Sequence, residues 1–203
     1  RRAFDARVLK IMFPATAIGI FIGWATASLV SEYVVGGVIG LLGATFAAAR
    51  LQGFGVAVEA RPARVGPGMF WGAAAGFTSF VSHSGGPPYQ IYALPLKMPK
   101  AVFAGTSTIL FAWVNAVKLP AVWNTHSSPY RAVKLPAYWS LGLVSFDNLH
   151  IAVWLMAPAA AAVYGGVWLV KVIPEALFFK LILWALLILS LRLVWASVAT
   201  PVA

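Results

Sequence analysis

The sequence predicts an all-α, polytopic helical membrane protein, and two observations carry that prediction. Of its 203 residues, 61% are hydrophobic and only 10% are charged, against roughly 25% charged residues in soluble domains. In addition, several apolar runs are long enough to cross a bilayer, which takes about 20 residues. These runs are Val8–Val30, Tyr33–Ala49, Met69–Leu96, Val102–Leu119, Ile151–Val170 and Ala176–Val198. We therefore expect about six transmembrane spans.

The first three runs carry pairs of glycines four residues apart. This spacing removes side chains from one face of a helix and lets two helix backbones approach closely. We assign these glycines to helix packing and give them no ligand role. The pairs are Gly19 and Gly23, Gly36 and Gly40, and Gly72 and Gly76.

The third run is broken by small, polar and helix-breaking residues at positions 82–88, Ser82-His83-Ser84-Gly85-Gly86-Pro87-Pro88. Consecutive glycines and prolines cannot continue a helix. In hydrocarbon, such a break is tolerated only where protein or a water-filled cavity surrounds it, and it indicates a transport site. The alternative is a proline kink that only lets neighbouring helices pack.

The chemistry of the break favours an anion. Pro88 suits the first turn of a second half-helix, whose N–H groups and positive dipole end would face the glycines and serines before it. We therefore predict that an anion-binding site includes Ser82, His83, Ser84, Gly85, Gly86 and Pro87.

The fourth run offers partners for this site. Asn115 and Lys118 are three residues apart and share one helix face, with Thr106 nearer the start of the run. An amide that donates hydrogen bonds and an ammonium of opposite charge would hold an anion. Alternatively, Lys118 snorkels to lipid headgroups and Asn115 joins two helices.

Titratable groups limit the mechanism. All acidic residues lie at the ends of runs or in loops, so no carboxylate remains for a proton relay inside the membrane. His83 is then the titratable candidate near the break, and the alternative is that it only hydrogen-bonds the unwound backbone. No catalytic triad ordering, metal-ligand cluster or nucleotide-binding loop appears. We expect no enzyme activity, no catalytic residue, no metal and no cofactor.

The net charge of +10 reflects basic residues at the ends of the apolar runs. Lipid headgroups and membrane topology account for such residues, so we expect membrane lipids and no nucleic acid as partners. With a cytoplasmic N-terminus and six crossings, eleven of the 15 Lys and Arg residues would be cytoplasmic. The exceptions are Lys97, Lys100, Lys171 and Lys180. Both termini are then predicted to be cytoplasmic.

The two ends of the chain resemble each other, which suggests a duplicated helix pair. Phe4-Asp5 and Phe146-Asp147 each precede an apolar run with a proline, a glycine and a following glutamate: Pro14, Gly23 and Glu32, and Pro158, Gly166 and Glu175. Residues 1–64 would be the remainder of a first repeat, with two spans and a cytoplasmic loop. Residues 65–203 would be the second repeat, with the broken span, three further spans and an extended loop at 120–147. A missing N-terminal helix pair would complete the first repeat.

A shorter duplication lies after the fourth run. The hexapeptide AVKLPA occurs at residues 116–121 and again at residues 132–137. It lengthens the loop before the fifth run, either as a tolerated insertion or as a docking loop for a partner.

The segments GAAAGFTSFVSHSGGPP at residues 72–88 and YQIYALPLKMPKAVFAGTSTILFAWVNAVKLP at residues 89–120 closely resemble the second half of the sulfite exporter TauE/SafE family. PATAIGIFIGWATASLVSE at residues 14–32 resembles part of that family's first half. The resemblance implies a bacterial inner-membrane permease that exports small sulfur-containing or other organic anions, such as sulfite or an organosulfonate. It also implies a glycine-rich motif in each half.

This chain departs from the family pattern in two ways. The glycine-rich motif of the first half is absent, and the duplication leaves both Lys118 and Lys134 as candidates for one family position. We expect secondary or facilitated transport of a small anion, by a homo-oligomer or with partner membrane subunits. The alternative is a non-transporting structural or assembly subunit of a larger membrane complex.

Overall fold

The computed structural model describes residues 3–27, 29–54, 60–123 and 146–199. These residues form seven α-helices and no strand. Five of the helices, all but α3 and α4, contain a stretch long and apolar enough to cross a membrane. The helices are α1 (Ala6–Thr26), α2 (Glu32–Leu51), α3 (Val65–Val81), α4 (Gly86–Ala93), α5 (Lys100–Trp123), α6 (Phe146–Val172) and α7 (Glu175–Ala199). The prediction of an all-α, polytopic membrane protein with a broken helix is confirmed.

Helices α1 and α3 lie side by side and run in the same direction. The glycines make this contact close: a Cβ placed on Gly72 would lie 2.6 Å from the Cβ of Ala15, and one on Gly23 would lie 3.2 Å from the Cβ of Phe80. Gly19 and Gly76 bring the backbones themselves into contact. Their predicted packing role is confirmed.

Helices α2 and α7 form a second close pair and run in opposite directions. A Cβ placed on Gly40 would lie 2.7 Å from the carbonyl oxygen of Ser190. Gly37, nearer the start of α2, meets Ser197, nearer the end of α7. Small residues therefore set the distance between both helix pairs.

The third apolar run enters and leaves at the same end of the bundle. The Arg61 N–H donates to the carbonyl oxygen of Pro95 at 3.1 Å, and the Tyr92 hydroxyl donates to the carbonyl oxygen of Arg64 at 3.3 Å. Both contacts join the chain before α3 to the chain after the break. Helices α3 and α4 therefore form a re-entrant hairpin, and the expectation that this run crosses the membrane once is wrong.

Helix α5 then starts from the end at which α1 also starts. The Asp5 N–H donates to the Thr106 hydroxyl at 2.9 Å, and the Trp113 indole N–H donates to the carbonyl oxygen of Phe13 at 3.2 Å. From the first contact to the second, the residue number rises on both helices, from Asp5 to Phe13 on the side of α1 and from Thr106 to Trp113 on α5. Helices α1 and α5 are therefore parallel. The described residues thus provide five crossings.

Basic residues gather at the end of the bundle where α1 begins, which we call the basic end. Of the Lys and Arg residues in the described ranges, all but Lys118 and Arg192 lie within about two turns of this end. They are Arg7, Lys10, Arg50, Arg61, Arg64, Lys97, Lys100, Lys171 and Lys180. The hairpin brings Lys97, Lys100, Lys171 and Lys180 to the side of the other basic residues, which corrects the predicted distribution.

The last helix ends at the opposite end of the bundle from the one at which α1 begins. Phe178 and Phe179, near the start of α7, pack on Phe103 near the start of α5, and α7 runs away from them. The expectation that both chain ends lie on one side of the membrane is therefore wrong. It failed because it counted the hairpin as a crossing.

The two similar helix pairs share their sequence landmarks but run in opposite directions. Glu32 and Glu175 are each the first residue of the second helix of a pair, and Pro14 and Pro158 each lie inside the first helix. Helix α1 leaves the basic end, whereas α6 returns to it. The carbonyl of Lys171, in its last turn, and that of Ile173, just after its end, both accept hydrogen bonds from the Lys100 ammonium.

Candidate functional site

The start of α4, on the far side of the break, lies near the middle of the bundle. A Cβ placed on Gly43, close to the middle of α2, would lie 3.1 Å from the Cβ of Pro87. Gly85 contacts Ala75, one residue from Gly76, which touches the middle of α1. Gly85, Pro87 and Pro88 are therefore buried between helices, the condition under which a break inside hydrocarbon is tolerated, whereas His83 is exposed.

Thr78 organises the break. Its carbonyl oxygen accepts hydrogen bonds from the Ser82 N–H at 3.0 Å and the Ser84 N–H at 3.1 Å, and from the Ser82 hydroxyl at 3.1 Å. Its own hydroxyl lies 3.1 Å from the carbonyl oxygen of Ser84 and 2.8 Å from that of Ala74. His83, inside this loop, has a φ of 53°, so the left-handed backbone that ends α3 is imposed on a non-glycine residue.

We expect Thr78→Val to destabilise the fold, because valine keeps the shape of threonine but loses the hydroxyl that reaches Ser84. Hydrogen bonds inside membrane proteins contribute about 0.6 kcal/mol on average and up to about 1.7 kcal/mol. Thermal unfolding in detergent should show a loss in this range. The matched control is Thr45→Val, since the exposed Thr45 hydroxyl bonds only to carbonyls of its own helix. Equal losses in both variants would contradict the role given to Thr78.

Two backbone amides are left for a ligand. Pro87 and Pro88 occupy the first turn of α4 and carry no N–H, so they offer a ligand no backbone donor. Gly85 and Gly86 retain theirs, and within the described part of the chain neither amide makes a hydrogen bond. A Cβ placed on Gly86 would meet no atom within 4 Å. Open space therefore adjoins this glycine.

Lys118 brings a positive charge to the break. Its ammonium nitrogen donates to the carbonyl oxygen of Ser79 at 3.2 Å and lies 3.1 Å from the Ser79 hydroxyl oxygen. That hydroxyl oxygen lies 3.2 Å from a Cβ placed on Gly85. Ser79 is thus shared by the lysine and the break, and one of the three ammonium protons is left for another acceptor.

Among the residues whose side chains the structure describes, no carboxylate neutralises this ammonium. The acidic residues of that set all stand at the starts of helices, and none of them forms an ion pair with Lys118. They are Asp5, Glu32 and Glu175. A half-buried positive charge without a counter-charge favours an anion beside it.

Two predicted residues lie elsewhere. Thr106 is buried near the basic end, where its hydroxyl accepts from the Asp5 N–H and donates to the carbonyl oxygen of Val102 at 2.6 Å, so we leave it out of the site. Asn115 is exposed on α5, and its role stays a prediction. Lys134 and the second copy of the hexapeptide lie outside the described residues.

The sequence prediction missed Thr78 and Ser79. Both are buried, with 2% and 5% of their surfaces exposed, and both precede the break by one helical turn. Two adjacent hydroxyl side chains near the end of an apolar half-helix are visible in the sequence and could have indicated that both residues belong to the site. Tyr89 was also missed: its buried hydroxyl accepts from Ser107 at 2.9 Å and holds α4 against α5.

The family model described as sulfite exporter TauE/SafE matches residues 1–193. No curated protein and no solved structure matches the chain.

Proposed function

This chain belongs to the sulfite exporter TauE/SafE family, and from that premise we propose that it exports a small sulfur-containing anion, sulfite or an organosulfonate, across the bacterial inner membrane. The observation that carries the proposal is the Lys118 ammonium, which lies beside the broken helix with no carboxylate among its described neighbours. In a membrane interior such a charge is expensive, and it marks a substrate pathway.

The donors around the break suit an oxyanion. The free amides of Gly85 and Gly86 and the remaining Lys118 proton would donate to separate oxygens of one sulfite or sulfonate group. The positive end of α4 adds to their field. Because a charge-assisted hydrogen bond is about twice as strong as a neutral one, these few donors would offset much of the cost of dehydrating the anion.

The arrangement of the helices supports secondary or facilitated transport. Helix pairs that run in opposite directions around a broken helix are typical of secondary transporters, in which one part of the protein rocks against the other. The basic end would face the cytoplasm by the positive-inside rule, so an exported anion would enter from the end where α3 and α4 meet the loops. His83 stays the candidate for proton coupling.

The test is flux in vesicles of defined lipid. The full chain is reconstituted into vesicles, and the vesicles are loaded with sulfite or with a short alkylsulfonate. Release of the anion is then compared with release from protein-free vesicles. We expect saturable release of at least one of these anions and slower release of chloride, which has no separate oxygens to match donors that are spaced apart. Correctly inserted protein without release of any of them would reject the proposal and favour an assembly subunit.

A further inference from the structure

A cavity lies at the basic end, between the two arms of the re-entrant hairpin. Its volume is about 270 Å³. Arg61, Arg64 and Trp71 line it on the side of α3, and Ile91, Tyr92 and Pro95 line it on the side of α4. The Arg61–Pro95 and Tyr92–Arg64 hydrogen bonds described above frame the cavity, so it is built by the fold.

The two charged residues that line this cavity, Arg61 and Arg64, are both basic. Both guanidinium groups are exposed, and no residue that lines the cavity is acidic. Within the described ranges neither Arg61 nor Arg64 takes part in an ion pair. Arg50, at the end of α2, is close enough to Arg61 for the two positive charges to repel. A bound anion would relieve this repulsion.

The remaining walls are apolar. Trp71, Ile91 and Pro95 offer hydrocarbon and ring surface, which a bare inorganic anion would leave unused. Guanidinium groups beside an aromatic side chain at one end of a membrane helix bundle fit a ligand with a charged head and an apolar body, because Arg pairs in a bidentate manner with oxyanions and apolar contact adds affinity in proportion to buried area.

We propose that this cavity binds a phosphate or sulfonate group attached to an apolar body. Two sources share this chemistry: the headgroup of an anionic phospholipid, and a free organic anion. The site is separate from the break and does not depend on the proposed transport. Since a ligand here touches both arms of the hairpin, it would also hold α4 against α3.

The experiment measures binding to the purified full chain in phosphatidylcholine nanodiscs. Three probes are titrated: short-chain phosphatidylglycerol, 1-octanesulfonate and inorganic phosphate. We expect at least one amphiphile to bind saturably and more tightly than inorganic phosphate. In Arg61→Gln/Arg64→Gln its affinity should fall by about tenfold or more, as expected when charged hydrogen bonds are lost. Tighter binding of phosphatidylglycerol identifies a lipid site, and tighter binding of octanesulfonate identifies a site for a free anion.

The matched control removes two exposed basic residues at the same end that do not line the cavity, as Lys171→Gln/Lys180→Gln. It should bind the amphiphile like the unmodified protein, which separates the cavity from a general charge effect. Three results would overturn the proposal: absence of saturable binding, equal affinity for inorganic phosphate, or equal loss in both double variants. Unfolding midpoints without ligand verify that each variant is folded.

Discussion

Replacing Gly85 with alanine is expected to reduce anion flux to the level of protein-free vesicles, although only one methyl group is added. A Cβ at this position would lie 2.8 Å from the carbonyl oxygen of Ala75 and 2.8 Å from the Cβ of Ser79, closer than such atoms approach. The first of these is a backbone atom, so α4 must move away from α3. That movement separates the Gly85 and Gly86 amides from Ser79 and Lys118.

The effect is steric and not conformational. Gly85 has φ −72° and ψ −13°, a right-handed conformation that alanine adopts without strain. Overpacking of this kind costs about 1–3 kcal/mol, so the protein should still insert and fold. Flux is measured in vesicles, and the folded fraction is measured by size-exclusion chromatography in detergent.

The neighbouring glycine provides the control. Gly86→Ala adds the same methyl group one residue later, where nothing lies within 4 Å of the new Cβ, and it should keep most of the flux. If Gly85→Ala transports normally, or if the two variants lose flux equally, the close contact between the break and α3 is not what the site depends on.

The break could be predicted from the sequence because its causes are local. Two glycines followed by two prolines end a helix in any surroundings, and glycines four residues apart favour close helix packing in any apolar run. The direction taken after the break is different. Residues 69–96 are long enough either for a kinked crossing or for a hairpin, and the choice depends on the left-handed backbone of His83 and on Gly85 packing against α3. The first is a backbone conformation rare for a non-glycine residue and the second is a tertiary contact, and neither follows from the local sequence pattern.

The site could be predicted only in part, because it too depends on contacts between residues far apart in the sequence. Helical spacing placed Asn115 and Lys118 on one face of α5 but gave no information about what that face meets. Lys118 reaches Ser79 across 39 residues of sequence, and Thr106 is paired with Asp5 across 101 residues. Partners this distant leave no periodic pattern. The two prolines had a further effect that could have been read from the sequence, since they remove N–H groups from the start of α4.

Lys118→Met is expected to abolish saturable flux and to weaken anion binding by about 10- to 100-fold, because a charge-assisted hydrogen bond is worth about 1.5–3 kcal/mol. Methionine fills a similar volume without charge. A half-buried ammonium with no carboxylate in the described surroundings is costly to keep, so the stability of the variant should stay the same or increase. A lysine that only caps the carbonyl of Ser79 would behave in the opposite way: stability would fall and flux would remain.

The duplication in this chain supplies the control for that experiment. Lys134 stands in a second copy of the same hexapeptide, so Lys134→Met makes an identical change in an identical local sequence. Only Lys118 has been placed against Ser79 and the break, and we therefore expect Lys134→Met to transport like the unmodified protein. Loss of flux in Lys134→Met with normal flux in Lys118→Met would move the positive charge of the site to the second copy. Normal flux in both variants would show that neither lysine takes part in the anion site. The remaining donors would then be the Gly85 and Gly86 amides, which carry no full charge.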